Sequence, residues 1–132
     1  MACTSIFNDR GSVLVVEDDP FAQDVMCSML RAEGFSRIVV TNNGREALDK
    51  LAHASEVPDY LISDLFMPDM DGFELISGLA STHYTGSLIL LSGISAEMLS
   101  VASALASGLG LDVRGALVKP LHRDTLTRLL AH

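Results

Sequence analysis

The chain has 132 residues, 48% of them hydrophobic, which suits one domain with a single sizeable core and hardly two. Nine Lys and Arg stand against 17 Asp and Glu, a formal net charge of −8, and this argues against nonspecific binding of nucleic acid or an anionic membrane. Cys3 and Cys27 form no CxxC, the opening MACTSIFNDRGS lacks the pattern of a signal peptide, and no run reaches the ~18 apolar residues of a membrane span, so a reducing cytoplasm is the expected home.

Residues 1–11 read as a loose N-terminal arm. SVLVVE (12–17) is the first short apolar run of strand length. Pro20 is a good first helical residue, and Phe21, Ala22, Val25, Met26, Met29 and Leu30 follow it as an apolar stripe at helical spacing. Gly34 can close that helix in a left-handed cap. RIVVT (37–41), YLISD (60–64), SLILLS (87–92) and GALVK (115–119) are four further strands. The helical stretches between and after them are NGREALDKLAHA (43–54), GFELISGLAST (72–82), SAEMLSVASALASG (95–108) and HRDTLTRLLA (122–131). The strand runs are nearly continuous rather than alternating, the pattern of strands buried on both faces of a parallel sheet covered by helices. Five β-then-α units predict one doubly wound α/β domain over 12–131. Such sheets bind ligands at the carboxyl ends of their strands, near the switch in strand order.

Those ends carry Glu17, Asp18 and Asp19, then Asp64, then Ser92 and Gly93, then Lys119 and Pro120. Each has an ordinary explanation when taken singly. An Asp after a strand is usually a turn former or helix cap, as Asp19 before Pro20 and Asp69 and Asp71 around Met70 are expected to be. Jointly, they put several carboxylates, a hydroxyl and an ammonium on one rim. Two carboxylates 4 Å apart repel by about 4 kcal/mol at an effective dielectric near 20. A hard divalent cation relieves this: Mg²⁺ takes a few carboxylate oxygens and keeps its waters, and Mn²⁺ accepts similar ligands. A dinucleotide-binding reading fails, because GLG (108–110) follows a helix and the third glycine of the fingerprint falls on Val113.

VLVVEDDP, LISDLFMPDMDG, LILLSG and ALVKPL together resemble the motifs of response-regulator receiver domains of two-component signalling, over roughly residues 12–131. The resemblance implies a flavodoxin-like, five-stranded parallel sheet of order 2-1-3-4-5. It implies that Asp64 is the phosphoacceptor, Asp18 a direct Mg²⁺ ligand, Glu17 a more distant one, and Phe66 the donor of a backbone carbonyl to the metal. Ser92 would hydrogen-bond the phosphoryl oxygens, Lys119 would pair with them, and the Lys119–Pro120 bond would be cis. Met67, Pro68 and Gly72 would shape the loop that opens Asp64 to a histidine on a sensor kinase or phosphotransfer protein. His53, His83, His122 and His132 would then be surface residues. Such a domain assists its own phosphorylation and dephosphorylation without being a conventional enzyme. Its signal would leave through helix 96–108, strand 115–119 and helix 122–131, to an output domain, a partner or a second copy, with no direct nucleic-acid or membrane contact.

Three features depart from the family pattern. Ala116 stands where relatives carry an aromatic switch residue. Phe66 and Ile94, which flank the phosphoryl position, are both apolar. The helix before Leu111 has one charge, Glu97, and a helix so apolar is usually covered by something. The stretch SGISAEMLSVASALASGLGLDVRGALVKPL is also similar to receivers that precede EAL-type cyclic-di-GMP phosphodiesterase domains. Two other readings remain. A phosphatase of the haloacid dehalogenase class needs a second Asp where Phe66 stands. A receiver-like interaction module that is never phosphorylated has no need of the complete set Asp18, Asp64, Ser92 and Lys119.

Overall fold

The computed structural model describes residues 11–66, 72–93 and 95–130. Strands and helices alternate: β1 (Ser12–Val16), α1 (Pro20–Ala32), β2 (Arg37–Thr41), α2 (Gly44–His53), β3 (Tyr60–Asp64), α3 (Gly72–Ser81), β4 (Ser87–Ser92), α4 (Ala96–Gly108), β5 (Asp112–Val118) and α5 (Arg123–Leu130). The five parallel strands lie in the order β2-β1-β3-β4-β5, as expected. The order reverses between β1 and β3, so the crevice beyond their carboxyl ends is where this topology places a ligand.

Side-chain alternation divides the core in two. Leu14 and Val16 of β1, with Leu61, Leu88 and Leu90, face α2, α3 and α4. Val13 and Val15, with Ile62, Ile89 and Leu91, face α1 and α5. Burial on both faces holds for β1, β3 and β4. It does not hold for β2 and β5, which are the edges of the sheet: Val39 is 46% and Val118 52% exposed. Strand order, not composition, decides this.

The ends of α1 follow its sequence closely. Asp19 caps it, accepting from the Phe21 and Ala22 amides at 3.3 Å. At the other end Gly34 takes φ +102°, and the amides of Gly34 and Phe35 donate to Arg31 and Leu30 carbonyls at 3.0 and 3.1 Å. This is the glycine closure expected there, and Phe35 joins Leu30 in the core. β5 differs from expectation, running Asp112–Val118 rather than 115–119. Leu88 pairs with Val113 but Ile89 with Gly115, so Arg114 is an extra, bulged residue. Its guanidinium lies 5.8 Å from the Tyr60 ring centroid and donates to the Leu129 carbonyl at 3.2 Å. A charged residue within the strand hid the strand's beginning.

Gly72 opens α3 by pressing on the strand that carries Asp64. Its amide donates to the Leu65 carbonyl at 2.7 Å. A Cβ there would lie 2.8 Å from Leu65 Cα and 3.3 Å from its oxygen. Gly72→Ala is therefore expected to destabilise the fold by about 1–3 kcal/mol through overpacking against backbone, read as a lower urea midpoint by far-UV circular dichroism. An unchanged midpoint would mean that the loop ahead of α3 gives way freely.

Candidate functional site

Separate strands deliver the carboxylates to one rim. Glu17 extends the β1 ladder by one bond, its amide donating to the Thr41 carbonyl at 3.0 Å, and it is only 4% exposed. The chain then turns, leaving Asp18 exposed. Asp64 is the last residue of β3 and is 8% exposed. One carboxylate oxygen from each of Glu17, Asp18 and Asp64 lies within 4.8 Å of the others.

Lys119 comes from the loop after β5. Its Nζ donates to Glu17 Oε1 at 2.7 Å and to Asp64 Oδ2 at 3.1 Å. The other carboxylate oxygens are also held: Glu17 Oε2 accepts from the Asp19 amide at 3.1 Å, and Asp64 Oδ1 from the Phe66 amide at 3.4 Å. Burial would by itself lower the Lys119 pKa. The hydrogen bonds to Glu17 and Asp64, with the charges of both, outweigh burial and hold it above the ordinary lysine value. Three carboxylates thus face one ammonium, and two negative charges remain. An all-oxygen donor set with that residual charge, and with Asp18 open to solvent, fits a hard divalent cation such as Mg²⁺.

Ser92 ends β4 and is fully buried. Its carbonyl accepts from the Lys119 amide at 2.8 Å, and its Oγ accepts from the Ser95 amide at 3.3 Å. Ser95 is the cap of α4, its own Oγ accepting from the Met98 amide at 3.1 Å. Phe66 is half-buried and packs on the core beneath α2 and α3. The Lys119–Pro120 bond is cis. His53, His83 and His122 are exposed. Met67, Pro68, Asp69, Asp71, Ile94 and His132 lie outside the described residues.

Two polar residues at the site were not singled out from the sequence. Gln23 Nε2 donates to the Glu17 carbonyl at 2.6 Å and to Asn42 Oδ1 at 2.9 Å. The available signal was positional: a side chain early in a helix leans back over the helix start.

A family model for the response regulator receiver domain matches residues 13–131. The chain belongs to this family. The receiver is 33% identical over 120 residues to the sensor protein TorS of Escherichia coli, covering 91% of this chain and 12% of that protein. It is 33% identical over 128 residues to the transcriptional regulatory protein ZraR of Klebsiella oxytoca, covering 94% of this chain and 27% of that one. It is 37% identical over 97 residues to protein-glutamate methylesterase/protein-glutamine glutaminase 5 of Myxococcus xanthus, covering 73% and 27%. The receiver therefore spans less than a third of the length of each of these proteins. The crystal structure of a response regulator from Colwellia psychrerythraea superposes with a TM-score of 0.78 at 32% identity, covering 92% of this chain and 94% of that one. The receiver domain of a sensor histidine kinase from Pseudomonas aeruginosa, solved with a magnesium ion in its active-site cleft, shares the fold with a TM-score of 0.76 at 24% identity, covering 91% and 93%. The chain is thus a receiver domain of two-component response regulators, homologous to phosphoacceptor domains. No helix among its described residues is long and apolar enough to cross a membrane.

In this receiver Lys119 and a cation would compete for the same oxygens. Removing one partner of a buried pair costs about 3–5 kcal/mol, and solvent at the lysine end reduces this to about 1–3 kcal/mol for Lys119→Ala. The same variant loses the competing charge. Mg²⁺ is therefore expected to raise its melting temperature by more than it raises that of the wild type. Equal shifts in thermal unfolding would separate the ammonium site from the cation site.

Proposed function

We propose that Asp64 is the phosphoacceptor of this receiver, within a unit spanning 12–131; residues 1–10 of the expected N-terminal arm (1–11) lie outside the described residues. Glu17, Asp18, Asp64 and the Phe66 carbonyl would hold Mg²⁺, or Mn²⁺ in its place. The observation that carries this reading is the Lys119 ammonium held against Asp64 within a three-carboxylate cluster. The donor is a phosphohistidine on a sensor kinase or phosphotransfer protein. An Asp64 oxygen attacks phosphorus in line, the P–O bond forms as the P–N bond breaks, and the imidazole leaves with the bonding pair and takes up a proton. Bound Mg²⁺ supplies charge neutralisation for the phosphoryl oxygens. Lys119 donates to a phosphoryl oxygen as its contact with Asp64 loosens, and Ser92 offers its hydroxyl from β4. Phe66 brings no polar side-chain group to orient a water, which favours a slow return to the free carboxylate. The domain assists its own phosphorylation and dephosphorylation and is not a conventional enzyme. A cytoplasmic setting fits the kinase partner.

Two surfaces suit the proposed partners. A groove of about 430 Å³ leads from Glu17 and Lys119 along α1 to Leu121, with Phe21 75% exposed beside it. Lys119, which lines this groove, touches Asp64 at 3.1 Å, and this suits a donor that presents a histidine from an apolar helix face. The output face is α4, β5 and α5, taken up by an output domain, a partner or a second copy. Met98, Val101, Leu105 and Leu109 are 37%, 55%, 38% and 46% exposed, and their spacing puts them in one stripe along α4. The likeness to receivers that precede EAL domains names one candidate output.

Acetyl phosphate with Mg²⁺ is expected to add one phosphoryl mass to the wild type and none to Asp64→Asn, with Asp18→Ala labelled far more slowly. Intact mass spectrometry reads this directly. Equal labelling of Asp64→Asn would remove Asp64 from the role, and an unlabelled wild type would leave an interaction module. For the output face, hydrogen exchange with beryllofluoride, a phosphoryl mimic, is expected to change protection in 92–110 more than in 20–33. A change confined to α1 would refute this route.

A further inference from the structure

Gln23 is half-buried at the fourth helical position of α1, and nothing in phosphoryl transfer requires it. Its amide nitrogen spends both hydrogens, one on the Glu17 carbonyl at 2.6 Å and one on Asn42 Oδ1 at 2.9 Å. The flipped amide would aim its oxygen at two acceptors, so the orientation is fixed. Asn42 is fixed in turn. Its amide N and its Nδ2 donate to Glu46 Oε1 at 3.0 and 3.3 Å, which leaves only its oxygen to face Gln23. Glu46 is anchored where its amide donates to Asn43 Oδ1 at 2.8 Å, in the cap of α2. Donation therefore diverges at Gln23, to the Glu17 carbonyl on one side and through the Asn42 amide to the Glu46 carboxylate on the other.

That carbonyl is half of the peptide group joining Glu17 to Asp18. Ladder bonding between β1 and β2 ends with the Glu17 amide, so the next peptide plane needs another restraint. The tilt of that plane decides in which direction Asp18 leaves the strand. We propose that Gln23 is a positioning residue for Asp18: it fixes the Glu17–Asp18 peptide so that the Asp18 carboxylate meets those of Glu17 and Asp64, with Asn42 and Glu46 holding Gln23 in place. This inference rests on the cation site proposed above.

Gln23→Leu keeps the side chain's bulk and helix propensity and removes both donors. Two measurements are needed: Mg²⁺ affinity by isothermal titration calorimetry, and the rate of labelling by acetyl phosphate across Mg²⁺ concentrations. Outer hydrogen-bond partners of metal ligands typically contribute 10–100-fold, so the expected loss in Mg²⁺ affinity is about tenfold, with labelling at saturating Mg²⁺ restored to within about twofold of wild type. Asn42→Ala is expected to shift affinity in the same direction, and Gln23→Leu/Asn42→Ala to bind no more weakly than Gln23→Leu alone. A folded Gln23→Leu with wild-type Mg²⁺ affinity overturns the proposal. Additive losses in the double variant overturn the role of Asn42. Should Gln23→Leu fail to fold, Asn42→Ala, on the exposed loop, decides by the same affinity measurement. A wild type that binds no Mg²⁺ overturns the cation site itself, whatever the variants do.

Discussion

Lys119 spans the sheet. In the order β2-β1-β3-β4-β5 its strand lies three places from β1, and three spacings of about 4.8 Å make roughly 14 Å between backbones. Two long side chains meeting end to end close that gap, and the 2.7 Å contact with Glu17 is the result. An aspartate at position 17 would be one methylene shorter. Asp64, on the intervening β3, meets the same ammonium at 3.1 Å. The pairing is not chiefly a source of stability, since desolvating charges offsets much of what their attraction returns. Its consequence is that two buried carboxylates coexist at a strand rim while a third, Asp18, remains open to solvent. The arrangement is left two positive charges short, and that deficit is its chemistry.

The fold was legible because burial leaves a direct trace in composition. The runs of β1, β3 and β4 are apolar because both faces of the sheet are covered there. The same signal misled at the edges. RIVVT is as apolar as an inner strand, yet Val39 faces solvent. The beginning of β5 was invisible for the opposite reason: Asp112 and Arg114 are polar, and only the register jump between Leu88 and Ile89 shows where the strand starts.

The candidate site divides along similar lines. Glu17, Asp18, Asp64, Ser92 and Lys119 stand at the ends of apolar runs, so counting strands locates them. Their convergence follows from topology. Gln23 carries no such mark. It is one polar residue on an amphipathic helix, and its importance depends on where the loop after β2 passes α1. That is a relation between residues 19 apart in sequence, which periodicity cannot report. Asn42 and Glu46 look like the local capping of α2, and they are that as well.

The proposed route outward from Asp64 depends on what Ser92 already holds. Its Oγ accepts from the amide of Ser95, and Ser95 caps α4. If Ser92 Oγ itself swings toward a phosphoryl group, it must either carry that part-buried amide along or leave it without its partner, a loss of at most about 1–3 kcal/mol. Both outcomes act on the start of α4. The outer part of the seam that α4 shares with β5 is lined mostly by small side chains. Ser100, Ser103, Ala104 and Ser107 line an open groove of about 470 Å³ with Ala116 and Val118, so few long side chains interlock across it. The family resemblance implies an aromatic ring at the Ala116 position that follows the hydroxyl. In the proposed route Ala116 leaves no ring to follow the hydroxyl, and the helix itself would be the moving part. Met98, Val101 and Leu105 are exposed on α4, so under this proposal a displacement set by one hydroxyl would reach the partner as a shift of an apolar stripe.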